Sequence, residues 1–374
     1  MSLADQIDKS ILAESVLSKD ERGVFLGVTI SGERLSFLVD TGSSGTWIDK
    51  RHGNLCKTKM GSREVREATG GPKTVQTYLI EDVFIDKLRV ANCEVAITDL
   101  SESQSKKRGR TVDGILGNNV LSQSVLQLDY DAGRVRILRD YQAEDQEHMD
   151  RISGFQGCPS VRVSLAGYTN VVIDTANEFG IILEPERFEE MRRRGLLQLQ
   201  PKKTYLAKKQ SEDRVLFFVK QVEFGGSICE NVEGAATNYS TIGIDMLSRF
   251  RVTLDYPNRR LYLKAAADLK RDIPPDALGA VWIKDERGII IDDLDKESPA
   301  YDAGLQIGDR LLRVNREAVE PKRLSEVRAL FCESGKAIPI EIQRGKETYA
   351  KVITLHRTFP YPPIWPRKTT KLLD

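Results

Sequence analysis

Histidine and cysteine are scarce in this chain. The three histidines, His52, His148 and His356, lie far apart in sequence, which argues against a His-rich zinc site and against a Ser-His-Asp triad. The five cysteines, Cys56, Cys93, Cys158, Cys229 and Cys332, are scattered, odd in number and free of any C-x-x-C spacing, so they read as buried or free thiols and not as a disulfide framework. Charge of one sign is lacking too. A net charge of +1 gives no global field that would favour nucleic acid or an anionic membrane. No apolar run reaches the roughly 18 residues of a membrane-spanning helix. The N-terminus, Met1 to Lys9, has neither the basic nor the apolar region of a signal peptide. The chain is cytoplasmic if complete as written, and periplasmic or secreted if a leader was removed; the sequence leaves both open.

What is present is enough for two or three domains: 374 residues, 40% of them apolar. The organising stretch is Leu35-Ser-Phe-Leu-Val-Asp40-Thr41-Gly42-Ser43-Ser44. Leu35, Phe37 and Val39 fall at period two, so an apolar strand delivers one carboxylate into a tight turn of small residues. Such an acid is costly to bury unless it is hydrogen-bonded or shares its charge. Taken alone, the triplet could equally be an Asp that caps a turn.

A second apolar strand ends the same way: Asn170-Val-Val-Ile173-Asp174-Thr175-Ala176. The two Asp-Thr steps lie 134 positions apart (174 − 40). The segments downstream of each step recur too. Ile115-Leu116-Gly117, with Leu121-Ser122 and then Leu128-Asp129-Tyr130, matches Thr241-Ile242-Gly243, with Leu247-Ser248 and then Leu254-Asp255-Tyr256. The internal spacings agree, Gly to Leu four positions and Gly to Asp twelve in both copies. A repeat of this length implies two similar lobes and not a short-period solenoid.

With both copies in place, the chain resembles the aspartic proteases over roughly residues 23 to 266. In that family each lobe supplies one Asp-Thr-Gly and a later hydrophobic-hydrophobic-Gly segment that packs behind it. The lobes are short and look like two retropepsin-type subunits fused in one chain. The resemblance implies a mainly β, bilobal pepsin/retropepsin-like acid protease fold, with Asp40 and Asp174 as a catalytic dyad. Thr41, Gly42, Ser43, Thr175 and Ala176 would support it, the two threonines interlocking beneath the acids. Two carboxylates held side by side share a proton, one serving as general base on a water and the other as general acid, and no cofactor is needed. The second copy departs from the family pattern: Ala176 stands where Gly is usual, and Asn177-Glu178 replaces Ser43-Ser44. The extra methyl is harmless if the local φ is negative and strained if it is positive.

Along the chain, residues 3 to 18 place Leu3, Ile7, Ile11, Leu12 and Val16 at helical spacing, giving a short amphipathic helix or a frayed lead. Arg66 to Tyr78 reads as a hairpin whose tip carries Gly70 and Gly71. By resemblance it is the flap that closes over substrate, with Tyr78 on its returning strand; an ordinary surface turn fits the same residues. Ala207 to Arg214 is the corresponding candidate in lobe two. The basic run Lys106-Lys107-Arg108 reads as a solvated loop in preference to a nucleic-acid contact. Pro185 to Gly195 has the start and stop signals of a helix.

Beyond a boundary near Lys264 to Asp276 lies a different motif. Gly288-Ile-Ile-Ile291 leads to Ser298-Pro299-Ala300, Ala303-Gly304-Leu305, Gly308-Asp309 and Val314-Asn315. This resembles a PDZ domain of the bacterial protease-associated kind, a small β-barrel with helices. It implies a groove that takes a peptide C-terminus or an extended segment as an added strand. Gly288, Ile289, Ile290 and Ile291 form the expected loop, Arg287 meets a carboxylate, and a helix over 321–333 exposes Leu324, Val327 and Arg328. A PDZ fold that only packs on the protease is the competing reading.

The expected organisation is therefore an N-terminal lead (1–22), lobe one (23–141), a linker (142–155), lobe two (156–266), a linker (267–278), the PDZ domain (279–357) and a Pro-rich tail (358–374). The expected function is an aspartic endopeptidase acting on polypeptide, its PDZ domain recruiting or gating substrate. The alternative is a protease-like peptide-binding or regulatory protein without turnover.

Overall fold

The computed structural model describes residues 10–17, 23–66, 72–106, 108–155, 157–165, 167–199, 215–267, 269, 277–285, 287–320, 322 and 324–356. Gly70, Gly71, the candidate second flap at 207–214 and the Pro-rich tail lie outside these residues.

The duplicated sequence folds into duplicated sheets. In lobe one, the apolar strand Glu33–Val39 runs parallel to Gly114–Leu116, which in turn lies antiparallel to Thr46–Asp49. In lobe two, Tyr168–Ile173 runs parallel to Thr241–Ile242, which lies antiparallel to Ile181–Leu183. Both outer strands, Thr46–Asp49 and Ile181–Leu183, then take a parallel neighbour, Leu88–Thr98 and Ser227–Ala236 respectively. Parallel strands buried on both faces need continuous apolar runs. Phe37, Leu38 and Val39, and Val171, Val172 and Ile173, are accordingly all buried.

A third sheet joins the lobes. Its order is Ile11–Val16, Arg134–Leu138, Val125–Asp129, Phe250–Asp255, Arg260–Ala265 and His148–Arg151. The two repeated Leu-Asp segments meet in its middle, antiparallel, with Gln127 opposite Thr253 and its amide donating to the Thr253 hydroxyl at 3.2 Å. These two residues occupy equivalent places in the repeat, so a pseudo-twofold axis passes between them. One apolar core runs continuously from Ala13 through Phe37 and Ile173 to Leu263.

Three expectations are corrected here. The lead is not a helix: Ile11–Val16 is a strand on Arg134–Leu138, with Ala13 buried. The segment 142–155 is no free linker, since His148–Arg151 pairs with Arg260–Ala265 and Ser153–Phe155 pairs with Cys158–Ser164. The C-terminal unit begins before 279, with Ala277 and Leu278 in its core. The helix Pro185–Arg193 does form, with Pro at its start and Gly195 at φ +67° beyond its end.

The C-terminal unit has its own sheet, in the order Ala280–Asp285, Gly288–Leu294, Arg310–Val314, Ala337–Arg344 and Glu347–Thr354. Its separate core stacks Trp282 on Phe331 at 5.7 Å. The Gly308-Asp309 signature is structural: buried Asp309 accepts from Arg344 Nε and Nη2, each at 2.7 Å. Ser298 caps the short helix Pro299–Asp302 by accepting from the Tyr301 amide.

Candidate functional site

Each Asp is held by the same backbone device. The Asp40 amide donates to the Leu116 carbonyl at 3.0 Å, and the Asp174 amide to the Ile242 carbonyl at 2.9 Å. The Asn118 amide then donates to the Ser43 carbonyl, and the Ile244 amide to the Asn177 carbonyl, both at 2.8 Å. The repeated hydrophobic-hydrophobic-Gly segments therefore fasten the repeated turns from behind.

The two turns meet back to back, and their threonines exchange partners. Thr41 Oγ1 donates to the Ile173 carbonyl at 2.5 Å and accepts from the Thr175 amide at 3.1 Å. Thr175 Oγ1 donates to the Val39 carbonyl at 2.7 Å and accepts from the Thr41 amide at 3.1 Å. Both threonines are fully buried, so each hydroxyl satisfies two backbone groups that would otherwise be costly orphans.

This brings the two carboxylates together around Gly42. The Gly42 amide donates to Asp40 Oδ1 at 2.9 Å, and a Cβ placed on Gly42 would stand 2.6 Å from the Asp174 Cγ. On the other side, the Ala176 and Asn177 amides donate to Asp174 Oδ1 at 2.9 and 3.1 Å. Burial first, and the neighbouring Asp174 carboxylate second, push the Asp40 carboxyl up to about 7, against the pull of Arg108 and of the Gly42 and Ser43 amides.

The departures at the second turn are accommodated. Ala176 does not have a positive φ, so its methyl brings no backbone strain, and it packs against an apolar cluster of Phe25, Leu38, Leu100, Val112 and Ile115. Asn177, at the place of Ser43, turns its side chain into the scaffold, with Nδ2 donating to Thr241 Oγ1 at 2.8 Å. Ser43 likewise turns away, its hydroxyl donating to the Gly45 carbonyl.

Four groups around the dyad were not foreseen. Arg108 Nη2 donates to the Ala176 carbonyl at 3.0 Å and Nε to Gln104 at 3.1 Å, so the supposedly solvated basic run sends a cation across to the second turn. Cys158 Sγ donates to the Gly42 carbonyl at 3.1 Å. Burial, and then the two carboxylates, push this thiol up to about 12, which keeps it protonated and unreactive. Asn118 Nδ2 donates to the Thr41 and Ser43 carbonyls at 2.7 and 2.9 Å, and the Tyr256 hydroxyl donates to Asn118 Oδ1 at 2.8 Å. Asn118 and Tyr256 sit in the duplicated segments, which was their one signal; Arg108 and Cys158 had none.

The hairpin Thr58–Arg66 with Pro72–Ile85 forms over lobe one, with Tyr78 half-buried opposite Lys59. In the C-terminal unit the expected peptide loop is corrected. Gly288–Leu294 is paired on both sides, and Ile289, Ile290 and Ile291 are buried, so no free edge exists there. Ala280–Asp285 stands at one end of the sheet, with Glu347–Thr354 at the other; no strand among the described residues pairs with its outer side, and it is preceded by Gly279 at φ +79°. Arg287 lies exposed in the turn at the far end of that strand, about 20 Å from Gly279 at a strand's rise per residue. The helix over the edge is Leu324–Ala329, shorter than expected. Val327 is buried in the core and does not line a groove, and Arg328 Nη2 donates to the Trp282 carbonyl of the edge strand at 2.6 Å. Leu324 lies in this helix; its side chain is not among those described.

Among the described residues no helix is long and apolar enough to cross a membrane, and no cluster of metal-ligating side chains occurs. Residues 26–120 match the aspartyl protease family and residues 290–344 match the PDZ domain family. No curated protein matches the chain. Among solved structures, an aspartic proteinase from Irpex lacteus is similar at 14% identity, covering 70% of this chain and 98% of that one with a TM-score of 0.42.

Proposed function

We propose that this chain, which carries an aspartyl protease domain and a PDZ domain, is an aspartic endopeptidase whose dyad is Asp40 and Asp174. The observation that carries this reading is the threonine exchange, which sets two carboxylates against one glycine on a pseudo-twofold axis. Two such acids cannot both ionise cheaply, so below about pH 7 the pair keeps one proton between them. The ionised member takes a proton from a water as it attacks the scissile carbonyl. The protonated member gives its proton to the carbonyl oxygen, forming the tetrahedral diol; the member that took the water proton then protonates the leaving nitrogen as the C–N bond breaks, and the diol returns a proton to the other acid, which restores the singly protonated pair. Gly42, Ala176 and Asn177 amides fix the orientation of the acids, and no cofactor takes part.

The PDZ unit adds a second peptide contact along the Ala280–Asp285 edge, where an extended segment of the polypeptide substrate pairs as a further strand. That strand also approaches Ser101–Lys106 of lobe one, just ahead of Arg108. Occupancy of the edge thereby bears on access to the dyad.

The test is cleavage of a mixed peptide library between pH 4 and 8 by the intact protein and by Asp40→Asn and Asp174→Asn. Each single change is expected to lower turnover at least a thousand-fold, because neither acid can replace the other's role. Equal cleavage by all three proteins would remove the dyad. Binding of peptide with no cleavage by any of them would favour the non-catalytic reading.

A further inference from the structure

The hairpin Thr58–Arg66 with Pro72–Ile85 carries a cation that pairs with no carboxylate or carbonyl among the described residues. Arg63 lies on the strand Thr58–Arg66, opposite Val75, while its neighbours Ser62 and Glu64 face solvent. Val75 is buried and so is Thr77, opposite Gly61 on the same side, so this row of side chains turns inward. The Arg63 guanidinium reaches the turn that follows Asp40. It rests on Gly45, where an added Cβ would stand only 1.7 Å from Nη2. Gly45 in turn backs onto Gly117, whose own Cβ would meet the Gly45 carbonyl at 2.2 Å. Two glycines therefore leave the slot that the guanidinium fills, five residues along the chain from a carboxylate of the dyad.

No described carboxylate or carbonyl pairs with Arg63, and its Nε is buried without a hydrogen-bond partner. The other cations near the site differ. Arg108 is held by Ala176 and Gln104, and Arg51 by Asp49. A half-buried guanidinium with unused donors matches a planar anion, since its fork takes both oxygens of a carboxylate at once. A substrate threaded between the flap and the Ser43–Gly45 turn would place a side chain there.

We propose that Arg63 is a specificity-determining residue, and that the enzyme selects polypeptides with a Glu or Asp in the subsite between the Thr58–Arg66 strand and the Ser43–Gly45 turn. This rests on the endopeptidase reading and names the substrate class for it. The acidic side chain docks on the Arg63 fork, and its binding completes the hydrogen bonding that the free protein leaves open. A basic side chain is rejected at the same place by like charge.

The experiment compares peptides that are identical except for Glu, Gln or Lys at each position around one cleavage site. It reads the ratio of kcat/KM for Glu over Gln within each protein, so that a general loss of activity cancels. For the full-length wild-type chain the ratio is expected to exceed ten at one position. It should fall to near one in Arg63→Gln, remain above one in Arg63→Lys, and turn in favour of Lys in Arg63→Glu. A wild-type ratio near one at every position overturns the proposal, as does an acid preference that survives unchanged in Arg63→Gln. If no protein cleaves any peptide, the endopeptidase reading fails separately. The charge selection is then read by fluorescence anisotropy with the same labelled peptides: tighter binding of Glu than Gln peptides that is lost in Arg63→Gln supports it, and equal binding overturns it.

Discussion

Gly42 and Ala176 occupy equivalent places in the repeat, yet they are not interchangeable. A methyl on Gly42 would strike the Asp174 carboxyl, whereas the methyl of Ala176 rests on apolar side chains of lobe one. The asymmetry gives each acid a different surrounding. Arg108 strengthens it by bonding the Ala176 carbonyl and pulling the Asp40 carboxyl downward against burial and Asp174. The charged groups acting on Asp40 are thus Asp174 and Arg108, with Cys158 and Tyr256, both protonated, beside the pair. Replacing Arg108 with Met leaves the upward pushes and removes the main downward one. Asp40 should then hold its proton to higher pH. On the proposed mechanism, in which the singly protonated pair acts, the alkaline limb of the kcat/KM profile, expected near 7 in the wild type, should move up. A profile of kcat/KM against pH for both proteins checks this; a limb that stays put, or moves down, would show that Arg108 does not govern the pair.

At the scale of elements, the open edge of Ala280–Asp285 is where a peptide strand can add, and Arg328 already caps one of its carbonyls. An incoming strand must displace that donor. Arg328→Ala should therefore tighten binding of a pool of mixed-sequence nonapeptides, by roughly tenfold if one charged hydrogen bond is relinquished. Titration of the labelled pool into both full-length proteins measures it, and unchanged affinity would place the peptide elsewhere. The same unit shows how far the sequence could be read. Ser-Pro-Ala, Ala-Gly-Leu and Gly-Asp identified the fold because each serves a local geometry, as the Ser298 cap and the Asp309–Arg344 pair show. The run Gly288-Ile-Ile-Ile was misplaced because an interior strand and an edge strand look alike until the sheet order is known. Ile11–Val16 misled for a similar reason. Its apolar spacing suited a helix, and its partner Arg134–Leu138 is more than a hundred residues away. The pairing of Asp40 with Asp174 was legible because duplication repeated their spacing, while Arg63 and Arg108 were not, since a single cation leaves no pattern.

The whole molecule divides by its cores and not by its lobes. The two lobes share one apolar core and the bridging sheet through Gln127 and Thr253, and the threonine exchange crosses between them a second time. Neither half can open without breaking all three. The C-terminal unit has a core of its own, centred on Trp282 and Phe331. Calorimetry on the full chain should accordingly show two transitions, one for the joined lobes and one for the PDZ unit. Thr41→Val keeps the shape of the side chain and removes the hydroxyl, leaving the Ile173 carbonyl and the Thr175 amide buried without partners. That change should cost roughly 1–3 kcal/mol for each orphaned group and lower one transition. Trp282→Ala empties the other core at a cost of roughly 3–5 kcal/mol and should lower only the second. If Thr41→Val lowered both transitions together, or if lobe one and lobe two melted apart, the two acids would not be held by a single cooperative body, and the alignment of the dyad would need another cause.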